Sequence, residues 1–189
     1  MKIKEWVAEN IVYRFFGCFY NKNNQPLFDF IATKIPTEFQ GKEISDLGCG
    51  DGSNTARIEE IFKPKGIIGY DHNDHCLRRA QAVGLKVRKL DLNQEVPQGE
   101  MATFTFSLHH ATDKEKVLRQ AAHNFEYLFL CEPVRDLYHA LVDAGKTLPK
   151  KEWVGVFDRA LGHYTLYQYK SSLIVFYKKA PHQPKAKKP

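Results

Sequence analysis

At 189 residues, with 43% hydrophobic and 26% charged side chains, the chain is long enough for one domain with a full core and has an ordinary globular composition. No apolar run approaches the roughly 20 residues of a membrane-spanning helix, and residues 1–6 lack the uninterrupted apolar core of a secretion signal, so the expected setting is the cytoplasm. The net charge of +6 is not a nucleic-acid signature for the body, because residues 178–189 hold five lysines and no acid and leave residues 1–177 close to neutral.

In chain order, residues 1–40 read as a helical, aromatic segment containing Trp6, Tyr13, Phe15, Phe16, Phe19, Tyr20, Phe28 and Phe30. It is expected either to pack against the sheet formed by later residues or to act as a lid. Residues 42–47 form a first strand. A helix comes next over residues 53–62, with Ser53 as its expected N-cap and Ala56, Ile58, Ile61 and Phe62 as its apolar positions. Pro64 and Gly66 stop it. Residues 67–70 are a buried-strand run ending at Asp71. Asn73 or Asp74 caps a second helix reaching Val83, with Gly84 as its stop.

Residues 85–90 make a third strand ending at Asp91, and residues 101–108 a fourth. Thr112 or Asp113 caps a helix through Asn124, and residues 127–131 are the fifth strand. Residues 134–144 are expected to be helical, 145–151 a basic loop, and 152–161 a short helix striped by Trp153, Val156, Phe157, Ala160 and Leu161. A hairpin then joins residues 163–169 to 173–177 around Lys170-Ser171-Ser172. Strand and helix alternate as they do around a parallel sheet covered by helices.

Residues 44–52, Ile-Ser-Asp-Leu-Gly-Cys-Gly-Asp-Gly, close the first strand with an acid and then place glycines at every second position. A Cβ there would hold a ligand off the backbone or forbid a positive φ angle. Ligands of open parallel sheets bind beyond the carboxyl ends of the strands, and those ends carry Asp46, Asp71, Asp91 and Glu132, with Ser107-Leu108-His109-His110 at the fourth. Asp71 lies 19 residues after Gly52, near the roughly 20-residue interval at which an acid meets a ribose. A dinucleotide site would need a third glycine where Ser53 stands, and Asp46 and Asp51 would repel its pyrophosphate.

Residues 46–52, with Asp71 and Asp91 downstream, resemble motif I and its partners in the class I S-adenosylmethionine-dependent methyltransferases. The resemblance covers residues 40–178. It implies an α/β fold: a three-layer α/β/α arrangement around a mostly parallel seven-stranded sheet with an antiparallel C-terminal hairpin strand. On that resemblance the methyltransferase domain occupies residues 41–178, between the helical segment 1–40 and a basic tail 179–189.

The resemblance further implies S-adenosylmethionine as cofactor. Asp71 would accept from the ribose hydroxyls with His72 beside the adenosine, and Asp91 with Leu92 would meet the adenine. Asp46 would orient the loop and attract the ammonium, directly or through water. The backbone at Gly48 and Gly50 would lie against the methionine portion, and Cys49, Gly52 and Ser107 complete the expected cofactor-binding set. His109 and His110 are the expected acid/base residues, because an imidazole can take a proton near neutral pH. Tyr13, Tyr20, Glu132, Trp153 and His163 are expected around the acceptor.

A metal site at His72, Asp74, His75 and Cys76 is not expected, since adjacent positions at a helix start rarely converge on one ion. The fourth strand end lacks both the acid of magnesium-dependent catechol-type enzymes and the Asn-Pro-Pro-Tyr or Asp-Pro-Pro-Tyr of nucleic-acid amine methyltransferases. Cys18, Cys49, Cys76 and Cys131 form no Cys-x-x-Cys pair, and a role as small hydrophobes in a reducing compartment is expected. The expected activity is metal-independent methyl transfer to a small molecule. The alternatives are an RNA- or protein-modifying enzyme anchored by the lysine tail, which would touch nucleic acid weakly, and a methyltransferase-like binding protein without turnover.

Overall fold

The computed structural model describes residues 24–135 and 147–180. Helix α1 (Gln25–Ala32) and a 3-10 turn (Thr37–Phe39) precede strand β1 (Glu43–Leu47), helix α2 (Ser53–Phe62) and strand β2 (Gly66–Asp71). Helix α3 (Asp74–Ala82), strand β3 (Val87–Lys89), strand β4 (Gly99–Thr105) and a second 3-10 turn (Leu108–His110) come next. Helix α4 (Lys114–Asn124) runs straight into strand β5 (Phe125–Pro133), and helix α5 (Lys150–Leu161) leads to the hairpin β6 (Thr165–Tyr169) and β7 (Ser172–Lys178).

These strands form one seven-stranded sheet in the order β3-β2-β1-β4-β5-β7-β6. The first five are parallel, and β7 enters antiparallel between β5 and β6. The expected three-layer α/β/α class is therefore the one observed, and the order reverses between β1 and β4. That reversal opens a crevice at the carboxyl ends, where β1 and β4 send their connections to opposite sides.

Two apolar clusters sandwich the sheet. One joins Leu47, Ala102, Phe104, Leu128 and Leu130 to Val117, Leu118 and Ala121 of α4 and Trp153 and Phe157 of α5. The other joins Ile44, Met101, Phe129 and Phe176 to Leu27, Phe28 and Ile31 of α1 and Ile58 and Phe62 of α2. Alternation along β5 feeds Phe129 to one face and Leu128 and Leu130 to the other, which is why this central strand is buried on both sides. The described part of the aromatic N-terminal segment thus packs on the sheet. Trp6, Tyr13, Phe15, Phe16, Phe19 and Tyr20 lie outside the described residues.

Several boundaries differ from the sequence reading for identifiable reasons. The buried stripe of α2 is Thr55, Ile58 and Phe62, while Ala56 is exposed. Its N-cap is Gly52 at φ +84°, and Asp51 rather than Ser53 supplies the acceptor, taking the Ser53 N–H at 3.2 Å and its hydroxyl at 2.7 Å. Strand β4 stops at Thr105, not Leu108, because Phe106 turns the chain at φ +55° while its N–H is held by the Cys131 carbonyl. Val134 does not begin a helix. It makes a parallel bridge to Leu148, and the remainder of the helix expected over 134–144 lies outside the described residues beyond Arg135.

Phe129 tests the core. Its side chain is fully buried, with ring centroids 5.0 Å from Phe62 and 5.3 Å from Phe176. Phe129→Ala is expected to cost about 3–5 kcal/mol in urea unfolding, whereas Val83→Ser, at a residue 74% exposed, should stay within about 0.5 kcal/mol.

Candidate active site

The glycine loop is built by backbone conformations that side chains resist. Gly48, Gly50 and Gly52 all have positive φ, at +80°, +56° and +84°. The requirement at Gly48 comes from inside the protein. A Cβ there would lie 2.4 Å from the Cβ of Ser107, so the glycine lets the ends of β1 and β4 touch. At Gly50 a Cβ would meet nothing within 4 Å. The sequence reading gave both positions the same reason, close approach of a ligand; only at Gly50 is the backbone open to one.

Asp71 closes this loop from the neighbouring strand. Its Oδ2 accepts the Gly50 N–H at 2.9 Å and its Oδ1 the Asn73 N–H at 2.8 Å. A carboxylate offers about four lone-pair directions, so the two remaining ones leave room for hydroxyl donors. The His72 Nδ1 stands 3.6 Å from Asp71 Oδ1, and the ring is near enough to Asp91 to contribute weakly to that carboxyl's electrostatics. Asp91 lies two residues beyond β3. Its Oδ1 takes the Asn93 N–H at 2.9 Å and Oδ2 takes the Gln94 amide at 3.1 Å. The Asn93 backbone bond, with side-chain donors adding to it, holds this carboxyl below the usual range. Leu92 is half-buried beside it against the apolar cluster containing Leu47 and Phe104.

Asp46 does not open to the crevice. It shares a face of β1 with Ile44, is 2% exposed, and gives both oxygens to hydroxyls: Thr55 at 2.5 Å and Thr103 at 2.6 Å. Burial pushes its carboxyl above the ordinary Asp range despite these two donors, and Asp71 adds a like charge. The expectation that Asp46 attracts an ammonium is therefore corrected to an internal tie between β1, α2 and β4. Cys49 is also buried, and desolvation, reinforced by Asp46 and Asp71, drives its thiol far up. Burial does the same to Cys131, in keeping with small hydrophobes.

At the other half of the rim, Glu132 is fully buried at the end of β5 and faces inward. Its Oε1 accepts the N–H groups of Ser107 at 3.1 Å and Leu108 at 2.8 Å. Its Oε2 accepts the His109 N–H at 3.3 Å and lies 2.8 Å from His109 Nδ1. Ser107 in turn donates its hydroxyl to the Leu47 carbonyl at 2.6 Å. Glu132 is thus removed from the acceptor-facing set, because four donors turned inward occupy its carboxylate. His109 is 2% exposed, while His110 is exposed with its ring centroid 4.0 Å from that of His109.

Two further expectations are corrected. Trp153 is fully buried, donates its indole N–H to the Pro133 carbonyl at 2.9 Å and stacks on Phe157, so it belongs to the core. His163 bonds the Lys178 carbonyl at 3.2 Å. Lys178 pairs with Tyr127 near the start of β5, which puts His163 at the sheet edge opposite the glycine loop. Tyr13 and Tyr20 lie outside the described residues. The structure brings together Gly48, Gly50, Asp71, His72, Asp91, Ser107, His109 and His110 at one edge. Thr55 and Thr103 were not anticipated, and only their spacing from Asp46 across α2 and β4 could have marked them. Among the described residues, no three His, Cys, Asp or Glu side chains gather as a metal ion would require, and no helix is long and apolar enough to cross a membrane.

A model of the methyltransferase domain matches residues 20–172. Over 88 residues the chain is 32% identical to a trans-aconitate 2-methyltransferase of Sinorhizobium medicae, a match covering 46% of this chain and 34% of that protein. It therefore spans about a third of that relative's length. Among solved structures, an S-adenosylmethionine-dependent methyltransferase of Thermotoga maritima superposes with a TM-score of 0.70 at 15% identity, covering 94% of this chain and all of that one. An O-methyltransferase family protein of Burkholderia thailandensis gives 0.66 at 13% identity, covering 86% and 58% respectively. At such identities the two structures share the fold with this chain.

The buried Asp46 carboxyl makes stability depend on pH. Its raised folded-state value means the folded protein binds this proton more tightly than the unfolded chain, so the contribution is full below the ordinary Asp range and fades as pH rises through the raised value. Asp46→Asn keeps the size and can still meet both threonine hydroxyls. Urea unfolding across that window should show the parent losing stability relative to Asp46→Asn as pH rises; parallel curves would contradict the assignment.

Proposed function

Because the chain belongs to the methyltransferase domain family, class I and S-adenosylmethionine-dependent in type, we propose that it carries out metal-independent methyl transfer to a small-molecule acceptor. The observation that carries the reading is Asp71, which is anchored to Gly50 from the adjacent strand and still has lone pairs to spare. The residues present fit the cofactor. Gly50 leaves its backbone approachable, Asp71 suits a ribose diol, and Asp91 with Leu92 suits an adenine. Both acids favour a cationic ligand over a pyrophosphate. When bound, S-adenosylmethionine supplies a methyl group already activated on its sulfonium.

The chain's own contribution is mostly positioning, since an in-line displacement depends above all on placement. Asp71 and Gly50 fix one end of the crevice and the Ser107–His110 turn fixes the other, with Ser107 and Gly48 in contact between them. Where the accepting atom carries a proton, as in a hydroxyl or amine, His110, exposed on that turn, takes it, while His109 beneath it is a supporting ring. A carboxylate acceptor is already ionised and needs only placement. A small acceptor accords with the partial relationship to a trans-aconitate 2-methyltransferase, and it makes small carboxylic acids the first compounds to assay.

Calorimetry with S-adenosylhomocysteine should give a one-to-one complex, and Asp71→Ala should weaken it roughly 100-fold by removing charge-assisted hydrogen bonds. Incubation with methyl-labelled S-adenosylmethionine and a panel of small acids, trans-aconitate and hydroxy acids among them, should transfer label to an organic product. His110→Ala should slow transfer to a hydroxyl about 100-fold while leaving transfer to an already ionised carboxylate within a few-fold of the parent. No heat from the parent chain would end the reading.

A further inference from the structure

Glu132 holds more hydrogen bonds than any simple turn needs. It lies at the end of β5, 0% exposed, and its two oxygens face four donors: the N–H groups of three consecutive residues, Ser107, Leu108 and His109, and the His109 ring at 2.8 Å. The turn it grips is a forced one, entered through Phe106 at φ +55°. From that turn Ser107 reaches back to the Leu47 carbonyl at 2.6 Å and fills the space beside Gly48. A continuous chain of contacts therefore runs from Glu132 through Ser107 into the glycine loop.

We propose that Glu132 is a positioning residue: it holds the Ser107–His109 turn against the glycine loop and keeps His109 in a single tautomer. This deepens the methyltransferase reading and rests on it for the identity of the ligand. Both Glu132 oxygens already accept backbone N–H groups, so in this arrangement the bond to the ring is donated by Nδ1–H, and Nε2 is left as the accepting nitrogen. The same ring is the surface on which His110 rests at 4.0 Å. One buried acid thereby sets the donor-side loop through Ser107 and the acceptor-side ring through His109.

Glu132→Gln separates these effects because it keeps the shape and removes one acceptor. The amide oxygen can serve Ser107 and Leu108, which leaves the NH2 group facing His109, and the ring can meet a donor only by moving its proton to Nε2. Two readouts decide. Nitrogen-15 spectra of the imidazoles above neutral pH should show Nδ1–H at His109 in the parent and Nε2–H in Glu132→Gln. Calorimetry should show S-adenosylhomocysteine binding weakened about tenfold by Glu132→Gln. Ser107→Ala should weaken it similarly while leaving the His109 tautomer as in the parent.

Leu161→Ala, a core change at the last residue of α5, two residues from His163 and so toward the edge opposite the glycine loop, controls for lost stability and should bind S-adenosylhomocysteine as the parent does. An Nδ1–H tautomer that survives in Glu132→Gln, or an affinity within twofold of the parent in either Glu132→Gln or Ser107→Ala, would overturn the proposal. A parent that binds no S-adenosylhomocysteine would refute the cofactor reading, and the tautomer comparison would still decide the role of Glu132 toward His109.

Discussion

A parallel sheet ends abruptly at its carboxyl edge, and while Gly48, Cys49 and Phe106 still reach a neighbouring strand's carbonyl, other backbone N–H groups beyond the edge have no strand partner. Buried away from water, each such group costs free energy unless an acceptor meets it. In this protein carboxylates are the acceptors. Asp71 takes Gly50 and Asn73, Asp91 takes Asn93, and Glu132 takes Ser107, Leu108 and His109. The shape of the crevice depends on these bonds, because they decide where each loop leaves the sheet.

The row of acids therefore has two uses that must be told apart. Asp46 and Glu132 are consumed by the interior, one by two threonine hydroxyls and the other by a turn and a histidine. Asp71 and Asp91 satisfy the backbone and remain at the rim, one at the end of β2 and the other just beyond the adjacent β3. The negative lining is thus concentrated on the half of the crevice next to Gly50. The half beyond β4 presents His110 over a buried acid. The proposed function puts the cationic nucleoside on the acidic side of this division and its acceptor on the other.

Much of the fold was legible because alternation of strand and helix, glycine stops and acidic strand ends are local signals. The boundaries of α2 and the hairpin strands were read closely, and the seven strands with an antiparallel member near the C-terminus came from the family resemblance, while their order came from the structure. The placement of the candidate site was legible where it is set by a residue's own position at a strand end, as with Gly50 and Asp71, which meet beyond β1 and β2. It failed where the partner is distant in sequence. Nothing near Glu132 announces a turn 23 to 25 residues earlier, and nothing near Gly48 announces Ser107. Trp153 was mistaken for a pocket wall because a helical apolar stripe does not say which layer it faces. His163 was misplaced because the antiparallel β7 brings its neighbours to the opposite edge.

The most direct measurement is a crystal structure of the complex with S-adenosylhomocysteine. The account predicts the ribose on the free side of the Asp71 carboxylate, the adenine beside Asp91 and Leu92, and the Gly50 backbone against the amino-acid portion, with the Glu132 bonds intact. Electron density for the nucleoside beyond β5, or an Asp71 carboxylate with no ligand contact, would contradict it.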